Sequence, residues 1–250
     1  HTAAGRVPAL DRMYRQHFER IAPDVEVEIS TLPPAAYDGA LPEGMVRYGA
    51  VEAFFATDFV RQAVAAERDG CDAYVIGTSQ DPGLRDARAV VGIPVVGYGE
   101  TAIHFAAMTG RRFGVVGFIP ELATPIGDNI RAAGLEHRLV GFDHLEGGPD
   151  VINEAFAGDS SRLLDQFEMA VGRLADRGAE LIIPGEGLPN EILVDAGIHS
   201  LAGVPIVDAD GLAVKLAVLL VELRQLGILD TASPGYWHAT PPPAAVDHLT

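Results

Sequence analysis

Cysteine is almost missing from this sequence. Cys71 is the sole one among 250 residues, so no internal disulfide can form. It lies near the start of an apolar run, in a slot that Ala179 fills further along, and reads as a small apolar residue of the interior rather than a nucleophile. Basic residues are scarce too. The 18 Lys and Arg face 35 Asp and Glu, for a net charge of -17, which excludes a phosphate-backbone partner because nucleic-acid binders gather cations on one face. No run approaches the roughly 18 consecutive apolar residues that span a bilayer, and the N-terminus lacks a basic region followed by an apolar segment. No membrane association is expected, and the protein reads as cytoplasmic. Also absent are the Gly-rich dinucleotide fingerprint, a Walker sequence and any His, Cys, Asp and Glu grouping with the spacing of a metal site, so no metal is expected.

What is present is a loose duplication. Gly70-Cys71-Asp72-Ala73-Tyr74-Val75-Ile76-Gly77-Thr78-Ser79 returns as Gly178-Ala179-Glu180-Leu181-Ile182-Ile183-Pro184-Gly185-Glu186-Gly187. Each copy leads to a second matching stretch, Gly92-Ile93-Pro94-Val95-Val96 and Gly203-Val204-Pro205-Ile206-Val207. Helix-period and strand-like runs alternate to about residue 227, the pattern of βαβ units and a mostly parallel sheet in each half. Helices are expected over 8–21, 59–68, 125–133, 161–177 and 211–226, and strands over 25–30, 73–76, 112–117, 138–142, 181–183 and 204–207. If the halves are equivalent, the helix from Pro8 matches the one after Phe118. A strand is then expected before Pro8, and His1 to Arg6 do not read as one. Leu32 to Gly49 is a long connection of turn-forming residues, either a lid or a plain surface excursion. The Pro-rich tail from Ser233 cannot continue a helix through Pro241-Pro242-Pro243, and reads as an arm or as disordered.

In each copy an apolar strand ends in Gly and a polar residue, so two strand-end loops can face each other across a cleft. Thr78 and Glu186 hold equivalent positions. The N–H groups of Gly77-Thr78-Ser79-Gln80-Asp81-Pro82-Gly83, with two hydroxyls, can converge on a carboxylate or an enolate; the plain alternative is an N-cap and turn without a ligand. Glu186 sits between Gly185 and Gly187, where an apolar strand end can desolvate it, raise its pKa and prepare it for acid or base work. The alternative is a solvated loop glutamate. Phe118-Ile119-Pro120 ends the first strand of the second half and can shape the pocket. Glu100 and Asp208 stand in the paired loops after the next strands, where acids also stabilise helix starts whatever the function. His104 lies one helical turn after Glu100. The candidate catalytic residues are thus Glu186 and Thr78; the candidate substrate-binding residues are Gly77, Ser79, Gln80, Phe118, Gly185, Gly187, Glu100 and Asp208.

Over most of residues 45 to 227 the chain resembles the aspartate/glutamate racemase superfamily, most closely its hydantoin racemase branch. The likeness is carried by Gly70-Cys71-Asp72-Ala73, Asp81-Pro82-Gly83-Leu84, Ile93-Pro94-Val95-Val96-Gly97, Glu100 to His104, Arg111-Arg112-Phe113 and Gly178-Ala179-Glu180. It implies an α/β fold of two pseudo-symmetric Rossmann-like halves with parallel sheets and the active site in the cleft. The first half is residues 1–100, closed by the helix 211–227, the second is 101–210, and 228–250 is the tail. It also implies cofactor-independent chemistry with one cysteine on each face of a substrate carbon. Anchored on Asp81-Pro82, those cysteines fall on Thr78 and Glu186, so two-thiol racemisation is unavailable here. A threonine hydroxyl is too weakly acidic to replace a thiolate unaided. Gly77-Thr78-Ser79 also resembles the Gly-Thr-Ser segment of arylmalonate decarboxylase, which implies that Thr78 and Ser79 hold developing negative charge while Glu186 stands at the proton donor's place. The expected function is racemase- or isomerase-like proton transfer at a carbon next to a carboxylate or carbonyl, on a small anionic or cyclic-amide substrate, in a homo-oligomer. A one-sided decarboxylase, lyase or ring-opening hydrolase remains open, as does a non-catalytic binder of a small carboxylate or imide.

Overall fold

The computed structural model describes Gly5 and residues 7–32, 43–231 and 239–246. The fold is mixed α/β with parallel sheets. Helix α1 (Pro8–Ile21) opens on a proline, whose fixed φ suits the first helical turn. Its buried Leu10, Tyr14, His17 and Phe18 fall on one face. A short α2 (Glu43–Val46) precedes α3 (Gly49–Arg68), which leads into β1 (Tyr74–Ile76), α4 (Leu84–Val90), β2 (Val95–Gly97) and α5 (Tyr98–Thr109). Then come β3 (Phe113–Gly117), α6 (Ala123–Ala132), β4 (Leu139–His144), α7 (Pro149–Phe156), α8 (Ser161–Asp176), β5 (Leu181–Pro184) and α9 (Gly187–Asp195). The short strands β6 (Ser200–Leu201) and β7 (Val204–Pro205) precede α10 (Ala209–Gln225), and α11 (Pro243–Val246) lies beyond.

Strands β1 and β2 pair in parallel, and β3 lies between β4 and β5, parallel to both. All five residues of β3 are buried, as expected of a central parallel strand with helices on both faces. Helix α8 lays Leu163, Phe167, Ala170, Val171 and Leu174 into the large core. Fully burying a Leu or Phe of this kind contributes about 1.5–3 kcal/mol. A second core forms where α3 and α4 cover β1, and α10 crosses back to pack on β1, β2 and α5.

Three expectations change. Residues 25–30 form no strand: Val27 and Ile29 are half-buried against the core, but no ladder forms, so their alternation marks an extended segment rather than a paired one. The expected strand 204–207 splits. Val204 and Pro205 turn back on β6, Ile206 makes a parallel bridge to Ile182, and the Val207 N–H donates to the Ile182 carbonyl. Proline at 205 brings no N–H to a ladder, which limits its pairing to an edge. The helix expected from Phe59 starts ten residues earlier, at Gly49. Most of the 32–49 connection and of the tail, and all but Gly5 of the first six residues, lie outside the described residues.

Candidate active site

Beyond β1 the chain turns through Gly77, Thr78, Ser79 and Gln80; beyond β3 it passes Phe118 and Ile119 into a 3-10 turn (Pro120–Leu122); beyond β5 it reaches Gly185 and Glu186 before α9. These carboxyl ends of parallel strands converge. Together they enclose a cavity of about 40 Å3, lined by Thr78 and Ser79 on one side and by Phe118, Ile119 and Glu186 on the other, with Val46 of α2 and Leu188 of α9 adding apolar wall. Small as it is, the cavity has room for water, since one molecule needs about 10–15 Å3 on a comparable measure.

Glu186 is the N-cap residue of α9, in extended conformation, and its side chain is buried. Its carboxylate does not cap its own helix. It accepts from the Phe118 N–H (3.3 and 3.1 Å to the two oxygens) and from the Ile119 N–H (3.2 Å). The seat depends on missing side chains: a Cβ at Gly117 would come within 2.8–2.9 Å of both carboxylate oxygens, and one at Gly185 would press on the Gly117 backbone. Tyr98 of α5 donates its hydroxyl to the Pro184 carbonyl at 2.8 Å, fixing the end of β5 just before the acid.

Burial pushes the Glu186 carboxyl up from 4.5 to about 8, against the two N–H groups that favour the anion. No Lys, Arg or His lines the cavity among the described residues, so backbone dipoles alone offset its charge. Opposite, the hydroxyls of Thr78 and Ser79 are buried and have no hydrogen-bond partner among the described residues. Buried polar atoms are nearly always paired, and an exception calls for a reason. Both belong to residues that line the same cavity as the acid.

Of the sequence candidates, Glu186, Thr78, Gly77, Ser79, Gln80, Phe118 and Gly187 line this cavity. Gly185 does not; it packs against Gly117 and Val115 beneath it. Glu100 lies outside: Arg88 grips its half-exposed carboxylate at 3.2 and 2.5 Å, and although burial opposes ionisation, these contacts hold its pKa below the usual value. His104 is exposed and turned to the Glu100 carbonyl. Asp208 is outside as well. It caps α10 through the Gly211 N–H and contacts His17 Nε2 at 2.8 Å, while His17 Nδ1 contacts Glu191 at 2.9 Å.

That second cluster was not foreseen. Burial works against a charged His17, but the contacts to Asp208 and Glu191 outweigh it and raise the imidazole to about 10. Asn190 ties the group together, donating to Glu191, Asp208 and Asp210 and accepting from the Ala209 N–H. Burial, then Glu191 and Asp208, push Asp210 up, and Tyr14 contacts it at 3.4 Å. The ligand-type atoms of His17, Glu191 and Asp208 lie within 4.8 Å of one another. Both ring nitrogens, however, are already engaged by carboxylates. Equally unforeseen were Leu122 in the wall and Gly117 below the acid, whereas Ile119 belongs to the stretch expected to shape the pocket and Val46 to the 32–49 connection.

A family model described as Asp/Glu/hydantoin racemase matches residues 12–217. The chain belongs to this family. It is an isomerase family, and the match spans every strand and every cavity-lining residue of the site. The hydantoin racemase of Rhizobium meliloti is 32% identical over 174 residues, covering 69% of this chain and 70% of that protein. The hydantoin racemase of Pseudomonas sp. (strain NS671) is 27% identical over 171 residues, 66% of this chain, and the chain spans 64% of that relative's length. Among solved structures, an allantoin racemase from Klebsiella pneumoniae shares the fold with a TM-score of 0.72 at 24% identity, over 94% of this chain and 89% of that one. Arylmalonate decarboxylase shares it with a TM-score of 0.54 at 20% identity, over 88% of this chain and 90% of that one. Family and fold class therefore agree with the sequence resemblance. Among the described residues no helix is long and apolar enough to cross a membrane.

Proposed function

We propose that this chain is a cofactor-independent racemase-type enzyme that moves a proton at a carbon next to a carbonyl in a small cyclic ureide or imide. Glu186 is the acid and base, and Thr78 and Ser79 receive the oxygen on which negative charge develops. The observation that carries this is one cavity holding a buried, proton-poised carboxyl and two buried hydroxyls without partners. As the carbon loses its proton to Glu186, the carbonyl oxygen gains charge, and prepositioned O–H donors in a water-poor site stabilise it strongly. A neutral ring is favoured over a free carboxylate because no cationic side chain among the described residues lines the cavity. Hydantoin racemases among the relatives support the ureide class.

Among the described residues Glu186 is also the sole ionisable side chain in the lining. Its proton therefore leaves and returns on one face, and inversion requires water to serve the other. This favours a second reading, a one-faced exchange, decarboxylation or ring opening at the same centre. Incubation of single enantiomers of hydantoins and allantoin, and of arylmalonates, in heavy water enriched in oxygen-18 separates the outcomes. Deuterium with inversion marks the racemase, deuterium with retained configuration marks one-faced exchange, loss of carbon dioxide marks a decarboxylase, and solvent oxygen in the product marks a hydrolase. Glu186→Gln should abolish label uptake while preserving binding. Normal turnover by that variant would remove Glu186 from the mechanism, and tight binding without turnover by the wild type would make the protein a binder.

A further inference from the structure

The turn that carries Thr78 and Ser79 is held from below by a side chain that does not line the cavity. Asp81 is buried, and its backbone has φ +51, a left-handed conformation uncommon outside glycine. Its own N–H returns to the Thr78 carbonyl at 3.1 Å, closing the turn around Ser79 and Gln80. Its carboxylate accepts from the Gly99 N–H at 3.0 Å and the Glu100 N–H at 2.6 Å, the first turn of α5. The approach is so close that a Cβ on Gly97 would run into the Asp81 carboxylate, and one on Gly99 into the Ser79 carbonyl. From the other side, Asn129 of α6 donates to the Gln80 carbonyl at 2.8 Å. The turn is thus clasped between α5 and α6, while its hydroxyls are left without partners.

We propose that Asp81 is a positioning residue: its carboxylate, seated on the Gly99 and Glu100 amides, fixes the turn that aims the Thr78 and Ser79 hydroxyls into the cavity. The seat stands on geometry alone, whereas the task of the hydroxyls rests on the proposed function. A carboxylate accepts two N–H bonds at once, while a carboxyl or an amide in the same place turns one donor group against a donor. Releasing the turn by even about 1 Å would misplace the oxyanion donors and cost roughly 100-fold in rate. Besides its amide partners, the charged groups nearest the seat are the Glu100 carboxylate and the Arg88 guanidinium paired with it.

A cycle of variants tests the coupling through turnover of a hydantoin. Asp81→Asn should lower kcat about 100-fold with less than about threefold change in KM. In the Thr78→Val/Ser79→Ala background the same change should alter kcat less than about twofold, because the groups it positions are gone. A full 100-fold loss repeated in that background would overturn the proposal. Amide hydrogen exchange tests the seat without any reaction: Gly99 and Glu100 should lose protection in Asp81→Asn. In the wild type they should lose it as pH falls through about 7, where burial, opposed by the two amides, places the Asp81 carboxyl. Should the variant not fold, the wild-type titration decides. Unchanged protection on both sides of pH 7 overturns the seat. Absence of turnover by the wild type on every ureide would defeat the proposed function instead, and leave the exchange result to judge the clamp.

Discussion

Two buried polar centres flank the start of α9, and they are built on opposite rules. Around His17 every charged group has found a partner: the imidazole lies between Glu191 and Asp208, and Asn190 spends its amide on three carboxylates and a backbone N–H. Around Glu186 the anion has only two N–H donors, and the hydroxyls across the cavity have nothing. The first arrangement ties α1, α9 and α10 together. The second leaves bonding capacity unused, which folding would not select for and which a ligand can complete. Among the described residues Thr101 Oγ1 and Gln166 Oε1 also lack partners, so it is the joining of unpaired hydroxyls with a cavity and a buried acid that marks the site.

The comparison is most easily broken at His17. Replacing it with Ala leaves the buried Glu191 and the half-buried Asp208 without a cation, and should cost about 3 kcal/mol in urea unfolding at neutral pH. A loss below about 1 kcal/mol would mean that the cluster is not the tie described.

Glu186→Gln should behave in the opposite way. The folded state holds the Glu186 proton more tightly than the unfolded chain, with a pKa of about 8 against 4.5. That preference favours folding fully below 4.5 and is lost as pH rises to about 8, so the ionised acid weakens the fold above that point. Relative to wild type the variant should therefore gain on the order of 2–4 kcal/mol at about pH 9 and almost nothing at about pH 4. Equal differences at both values would show that the acid is not desolvated. For the same reason wild-type label exchange should rise through an apparent pKa near 8 if the carboxylate is the base.

Smaller still is the effect expected of Thr78→Val and Ser79→Ala. Removing an unpaired buried hydroxyl should shift stability by no more than about 1 kcal/mol, and can raise it. The same variants should slow exchange by about 100-fold or more. A large loss of stability would reveal that these hydroxyls serve the fold. Least of all, Arg88→Ala should cost under about 1 kcal/mol, as expected of a half-exposed pair, and leave exchange untouched. A fall in exchange would return Glu100 to the site.

Much of this was legible in the chain. Periodicity located α1 to the residue and α8 and α10 to within a few, because one buried face dictates each pattern, while β3 was legible as a short continuous apolar run. The duplication brought Thr78 opposite Glu186, and the apolar strand before the acid signalled its desolvation. Glu100 and Asp208 misled because acids at helix starts look alike whether they bind a ligand, cap a helix or pair with a distant cation. Only the fold brings Arg88 to one and His17 to the other. The His17 cluster was invisible since its members lie 174 and 191 positions apart along the chain. Asp81 was read as part of a family signature, yet its task became plain only once α5 was placed beneath it.

The bare backbone at Gly117 has one more implication. A methyl group there and a carboxylate from position 186 compete for the same volume, so the strand end and the acid form a single unit of heredity or design. Introducing glutamate at the corresponding place in a relative whose β3 ends in a larger residue would lodge it elsewhere. Conversely, Gly117→Ala in this chain offers a way to evict the acid without replacing it.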